Sequence, residues 1–309
     1  MAVLGPTGIE VGDVIFGAGS IGGFGSSPAT RGWGLDAEAG RRRLDEAAAR
    51  GIRLIDTADA YGGGESERVV GAWRPGHDQL IATKVGNVVG ADRRGVDLSA
   101  AHIRRQLRTS LDRLGRVDLY LTHQPDPATP PEETLETLAG LVTDGTIRAY
   151  GCCNVDAPEL ERLLAAADRM GVQRPGWLQN SFNLLDRGDE RELLPLLRAE
   201  GLGYTPYSPL AGGMLSDRYL DGAEPAPRSR LAAGGVDYVH AADVRCRVRR
   251  LAAIAREHGV STAALALSWL RRHPAVTAVI VAPSTEAQWQ AVDDMVDLDD
   301  AAAAAIGAL

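Results

Sequence analysis

The chain has 309 residues, 45% hydrophobic and 24% charged, a composition that supports a large buried core and excludes disorder as the default state. Its formal charge of -8, with no dense Lys/Arg block, argues against a nucleic-acid or anionic-membrane partner. Cys152, Cys153 and Cys246 form neither a C-x-x-C frame nor a disulfide framework, so no metal site is expected; with no leader-like N-terminus and no apolar run near the ~18 residues of a membrane span, the expected location is the cytoplasm.

The opening V-L-G-P-T-G-I-E-V predicts a β-hairpin turning at Gly5–Gly8, a plug for the floor of a barrel. Short Val/Ile/Leu-rich runs then predict strands at 14–17, 53–57, 80–84, 117–122, 147–151, 177–180, 202–206 and 276–281. Amphipathic stretches between and after them predict helices at 36–50, capped by Asp36, 99–114, capped by Ser99, 131–143, and 156–170, capped by Asp156. Further helices are expected at 189–199, 245–258, 261–273 and 285–295, followed by a final Ala-rich one. Eight strands alternating with helices is the count of a parallel (β/α)8 TIM barrel, and residues 1–309 are expected to form one such domain. Residues 17–35 and 208–243 are too rich in Gly, Ser and Pro for a regular element. They predict long loops after strands one and seven, on the face where barrel active sites sit.

Four polar residues stand at or just beyond the ends of four apolar runs: Asp56 after I-R-L-I, Tyr61 five positions on, Lys84 closing L-I-A-T-K, and His123 after D-L-Y-L-T. Taken singly, each has an ordinary explanation as a cap, a packed ring or a turn residue. Together, on the C-terminal side of their strands, they suit chemistry. A phenol with an unperturbed pKa near ~10 can protonate a developing alkoxide, and a nearby ammonium held by a carboxylate favours its phenolate. A neutral His123 would orient a substrate carbonyl, and a nicotinamide would supply hydride. Lys84 as a Schiff-base residue of a barrel lyase or isomerase is the rival chemistry.

The motifs G-I-R-L-I-D-T-A-D-A-Y-G (51–62), G-E-S-E (64–67), I-A-T-K (81–84) and S-L-D-R-L-G-R-V-D-L-Y-L-T-H-Q-P-D (110–126) carry a resemblance over nearly the whole chain. So do G-T-I-R-A-Y-G (145–151), Q-N-S-F-N (179–183), Y-S-P-L-A-G-G-M-L (207–215) and A-P-S-T-E-A-Q (282–288). In order and spacing the chain resembles the aldo-keto reductase superfamily, in its bacterial and potassium-channel β-subunit-like branch. The resemblance implies an NAD(P)(H)-dependent oxidoreductase acting on a small-molecule aldehyde, ketone, sugar-like carbonyl or the matching alcohol, with Tyr61 as proton donor, Lys84 and Asp56 as its tuning pair, and His123 orienting the substrate. A nucleotide-sensing accessory subunit with incidental turnover is the alternative from another class.

The resemblance also implies a cofactor site without a Rossmann fingerprint. Ser20, Ile21 and Asp56 would lie near the nicotinamide ribose, Asn154 and Gln179 on the carboxamide, and Tyr207 against the ring. Ser208, Leu210 and Gly212, with Arg218 nearby, would line the pyrophosphate. At the adenosine end, Ala282 and Ser284 stand where many relatives carry other residues, an Arg among them, so the basic clamp for a 2′-phosphate is weakened. Ser284 and Gln288 match the channel-subunit branch, and Arg230 is expected to supply the missing charge, which favours NADP(H) over NAD(H). Phe24, Trp33 and residues 86–95 would flank the substrate, together with Tyr61 and His123, in a relatively open pocket. Cys152 and Cys153 are expected to be small buried residues without a redox role.

Overall fold

The structure, a computed structural model, describes residues 2–87, 95–232 and 241–309. Among them, eight strands form one parallel sheet: β1 (Val14–Gly17), β2 (Leu54–Asp56), β3 (Leu80–Val85), β4 (Leu119–Thr122), β5 (Ala149–Cys153), β6 (Trp177–Gln179), β7 (Gly203–Tyr204) and β8 (Val279–Val281). Their order is β7-β6-β5-β4-β3-β2-β1-β8. The two ends meet where Thr277 N–H donates to Tyr204 O (2.8 Å) and Ile280 N–H to Pro206 O (3.1 Å), closing a (β/α)8 barrel.

The helices are α1 (Ala37–Ala49), α2 (Glu65–Trp73), α3 (Ala100–Leu114), α4 (Pro131–Thr143), α5 (Ala157–Met170), α6 (Leu193–Ala199), α7 (Ala242–Glu257), α8 (Thr262–Arg272), α9 (Glu286–Asp293) and α10 (Asp300–Gly307). Asp36, Ser99 and Asp156 each accept a backbone N–H three residues on, so the chain enters α1, α3 and α5 through side-chain caps. Ser261, Thr285 and Asp299 do the same for α8, α9 and α10.

Alternation along the strands divides the apolar side chains into two sets. Phe16, Ile55, Ile81, Tyr120, Tyr150 and Leu178 face outward into a continuous layer with the helices. Ile15, Leu54, Ala82, Leu119, Leu121, Ala149, Cys153 and Trp177 fill the barrel with Leu4, Ile9 and Val11 of the N-terminal segment. That segment folds back through an antiparallel bridge between Val3 and Glu10, around a 3-10 turn at Gly5–Thr7. Gly5 lies so close to Gly176 and Gly203 that a side chain there would collide with their backbones, which seats the turn against the starts of β6 and β7.

Several boundaries differ from the sequence expectation. β5 starts and ends two residues later than 147–151, because Cys152 and Cys153 pair with β4 and β6 as small apolar strand residues. The β7 ladder is short, and regular helix replaces the expected 189–199 only from Leu193, after a 3-10 turn at Gly188–Glu190. Helix α2 was hidden behind the Gly62–Gly64 run, whose positive φ angles turn the chain sharply before Glu65. Within it Ser66 and Glu67 are fully buried, which removes the polar face that periodicity looks for. The loop after β1 runs to Asp36; of the long loop after β7, residues 233–240 lie outside the described residues, as do 88–94 of the expected substrate segment 86–95.

Candidate active site

Parallel register aligns the C-terminal ends of neighbouring strands. Gly17 stands beside Asp56, Asp56 beside Ala82, and Lys84 beside Leu121 two residues before His123. Tyr61 follows in a 3-10 turn with Gly62 and Gly63, its N–H bonded to Ala58 O. Lys84 is 1% exposed and Asp56 4%. The Lys84 ammonium donates to Asp56 Oδ2 at 2.6 Å and to Thr57 O at 2.8 Å, and lies 4.8 Å from the centre of the Tyr61 ring. On the far side of the carboxylate, Gln179 Nε2 donates to Asp56 Oδ1 at 3.0 Å. The His123 ring meets Tyr61 edge-on, centroids 5.5 Å apart and planes at 79°.

The charge states follow from burial and partners. Burial disfavours the Lys84 ammonium, but Asp56 and Tyr61 outweigh it and raise its pKa, so it stays charged. Burial and then the Lys84 charge push His123 down to about 3, which keeps it neutral. For Tyr61 burial is the largest influence and raises its pKa; Lys84 pulls the other way without prevailing. The sequence expectation that Lys84 leaves a net lowered phenol is therefore corrected: in this structure the phenol holds its proton more firmly than free tyrosine. Burial likewise pushes the Cys152 thiol up to about 12 and Cys153 further, leaving both as thiols.

The residues expected around a nicotinamide fall into three groups. Asn154, in the left-handed region at φ 57°, donates to His123 O (2.8 Å) and accepts from the Tyr207 hydroxyl (2.7 Å). Asn154, Tyr207 and the backbone of His123 are thereby one linked unit at the mouth. Gln179 is buried and spends an N–H on Asp56, while its Oε1 has no hydrogen bond among the described residues. Ser20 Oγ is buried with no partner among the described residues. An unbonded amide oxygen and an orphaned hydroxyl beside the quartet's strands fit a polar ligand such as a ribose and carboxamide. Ile21 does not join them: its side chain is fully buried against Gly40 of α1. Ser208, Leu210 and Gly212 lie in the loop after β7, where positive φ at Ser208 and from Ala211 to Gly213 shapes an irregular cradle. Arg218 is exposed on that loop, its guanidinium 5.8 Å from the Tyr219 ring.

At the expected adenosine end, Ser284 N–H and Oγ both donate to Gln288 Oε1 (2.7 and 2.9 Å), and both residues are exposed. Arg230 contacts neither of them among the described residues. Its guanidinium lies 5.1 Å over the Phe24 ring and donates to Gly19 O at 3.4 Å, on the loop after β1. Phe24 is thus at the mouth, whereas the Trp33 ring makes no hydrogen bond or ring contact among the described residues.

Sequence reasoning missed the supports. A Cβ on Gly19 would come within 3.3 Å of the Tyr61 ring, so glycine lets the loop close over the phenol. Behind the turn, buried Glu67 accepts from Thr83 Oγ1 (2.6 Å) and Arg113 Nη1 (2.9 Å), and Arg113 also reaches Asp59 O (3.2 Å). Asn87 links Gln124 to Ser26 across the rim. The E in G-E-S-E was visible, but nothing in a single sequence says that a charge is buried.

A model of the "Aldo/keto reductase family" matches residues 13–309. The chain is 33% identical over 303 residues to a protein of Arabidopsis thaliana named "Probable voltage-gated potassium channel subunit beta", covering 93% of this chain and 88% of the relative. It is 31% identical over 299 residues to the versiconal hemiacetal acetate reductase of Aspergillus parasiticus, covering 88% and 85%. It is also 31% identical over 271 residues to a Bacillus subtilis protein named "Uncharacterized oxidoreductase YrpG", covering 82% and 80%.

Proposed function

The chain belongs to the aldo/keto reductase family, and on that premise we propose that it interconverts an aldehyde or ketone with its alcohol using NAD(P)(H), Tyr61 serving as the acid/base. The observation that carries this reading is the constellation around one phenol: an ammonium 4.8 Å from its ring centre, fixed by a buried carboxylate, and a neutral imidazole edge-on to it.

Each member acts through a stated atom. Tyr61 gives its hydroxyl proton to the oxygen that becomes the alcohol, and Lys84 stabilises the phenolate left behind. Asp56 keeps Lys84 from turning away, and Gln179 keeps Asp56 in place. Among the described residues, His123 Nδ1 is buried without a partner. Burying an unsatisfied N–H there would be costly, so the proton sits on Nε2, and Nε2–H is the group left to hold a substrate oxygen. A bound nicotinamide supplies or accepts the hydride; Ser20, Asn154, Gln179 and Tyr207 would hold that end of it, and Ser208, Leu210 and Gly212 would line its pyrophosphate.

The Schiff-base alternative loses support from the same geometry. An attacking lysine needs a lowered pKa. Lys84 has a raised one, with its ammonium committed to Asp56 and Thr57. NADP(H) remains the favoured cofactor on Ser284 and Gln288. Without Arg230 beside them, selection against NAD(H) rests on neutral groups and is expected to be modest, below about tenfold. The test is Tyr61→Phe: nicotinamide turnover over a panel of aldehydes and ketones should fall by about 10²–10⁴-fold while NADPH binding, followed by fluorescence, persists. Wild-type turnover in Tyr61→Phe would refute the assignment; a wild-type protein that binds nucleotide but turns over nothing would favour the accessory-subunit alternative.

A further inference from the structure

We propose that Glu67 and Arg113 are positioning residues for Tyr61: together they form a buried strut that ties the turn carrying the phenol to β3 beside Lys84, and so set the separation of phenol and ammonium. This rests on the oxidoreductase reading and deepens it, since both residues act through Tyr61 and Lys84 and not on a substrate.

Glu67, on α2, has no exposed surface. Its two carboxylate oxygens go to two different elements: Oε1 accepts from Thr83 Oγ1 at 2.6 Å and Oε2 from Arg113 Nη1 at 2.9 Å. Thr83 precedes Lys84 on β3, and alternation puts its hydroxyl on the helix side of the strand while the ammonium points into the barrel. The carboxylate is therefore anchored one residue from the ammonium. Arg113 closes the other end. The same Nη1 donates to Asp59 O at 3.2 Å, two residues before Tyr61, and Asp59 N–H donates to Lys84 O at 3.2 Å. Asp59 is thus held from both sides, by the strand and by the arginine.

The guanidinium also fills the space in front of Gly64, where an added Cβ would come within 2.5 Å of Nη1. Its own base is fixed, because Gly71 of α2 packs so tightly on α3 that a Cβ there would lie 1.8 Å from Arg113 O. Between Asp59 and α2 run Gly62, Gly63 and Gly64, all at positive φ, whose backbones no side chain restrains. A rigid strut beneath a turn of that kind decides where its one aromatic ring sits. Stability alone does not call for the strut, since a buried charge pair gives a fold little that an apolar pair of similar volume would not. What it adds is direction, from charged hydrogen bonds of fixed geometry. Asp59 does not draw the arginine away: the ion pair is with Glu67, and burial, then Glu67, raise the Asp59 pKa well above the ordinary carboxylate range, which favours its neutral acid.

The experiment measures NADPH-dependent reduction of 4-nitrobenzaldehyde by the wild type, Glu67→Gln, Tyr61→Phe and the double variant. Glu67→Gln keeps the shape and the acceptor for Thr83 but turns an N–H toward Arg113. It should lower kcat by about ten- to hundredfold, with KM and the NADPH Kd as in the wild type. In the Tyr61→Phe background the same substitution should lower the residual turnover by less than about twofold, because the hydroxyl it aims is already gone. Thr83→Val, close to isosteric and leaving the Arg113–Glu67 pair intact, should show the same pattern at about three- to tenfold, and it carries the test if Glu67→Gln does not fold. An equal fractional loss in both backgrounds, which a smaller amount of folded enzyme would give, overturns the assignment, as does a loss carried by KM or a wild-type kcat; the oxidoreductase reading survives each of these. Wild-type turnover in Tyr61→Phe alone, or no turnover of any carbonyl by the wild type, would overturn both.

Discussion

At the floor of the barrel, Leu4, Ile9 and Val11 meet Leu54, Leu119 and Trp177, the first residues of β2, β4 and β6. At the mouth, β2 and β6 finish in Asp56 and Gln179, and Lys84 stands one residue from the end of β3. The floor contributes burial alone, which is favourable wherever shape allows. The mouth buries an ion pair whose desolvation offsets much of its attraction, an arrangement that stability alone does not call for. Strands of three to six residues thus run from packing to chemistry within ~7–17 Å of rise.

The sharpest way to break this contrast is Lys84→Met. Turnover should fall by at least about 10²-fold, and stability by about 3–5 kcal/mol, since Asp56 is left buried without its counter-ion. Adding Asp56→Asn should restore much of the melting temperature but none of the turnover. A double variant that regained activity would show that the pair is structural only. Leu4→Ala probes the other end. Emptying this fully buried site should cost about 2–5 kcal/mol in chemical denaturation, with kcat and KM as in the wild type; altered kcat would show that floor and mouth are coupled.

The smallest effect expected is that of pH on the rate. With His123 held at about 3 and Tyr61 raised, neither group titrates between pH 5 and 8, and kcat/KM for reduction should be flat there. It should fall only in strongly alkaline solution, as Tyr61 loses the proton it must donate. Stability behaves differently. His123 binds its proton more weakly folded than unfolded, so its contribution is complete above the unfolded value near ~6.5 and is lost as pH falls toward 3. His123→Gln should flatten that part of the stability profile, and an unchanged slope would place the titration elsewhere.

The barrel was legible because parallel strands covered on both faces read as continuous apolar runs, and because Asp36, Ser99 and Asp156 mark helix starts through local chemistry. The quartet stood out for the same reason: polar residues that end such runs are conspicuous. Three things were illegible because tertiary contacts decide them. Glu67 reads as an ordinary helix charge until Thr83 and Arg113 close on it. Arg230 sits in a segment without periodicity, and only the placing of Phe24 and Gly19 fixes where it reaches. For Tyr61, sequence gave its charged neighbour but not its burial, and burial has the larger say.

The N-terminal turn seated on Gly176 and Gly203 makes the barrel a cul-de-sac. Leu4 and Val11 are wholly buried in the apolar cluster that fills the floor, which offers water no polar path from that end among the described residues. On the proposed reading, whatever binds at the open end would also be the stopper: reactants that enter would shut off the solvent behind them and leave the Lys84–Asp56 pair to act on Tyr61 less screened.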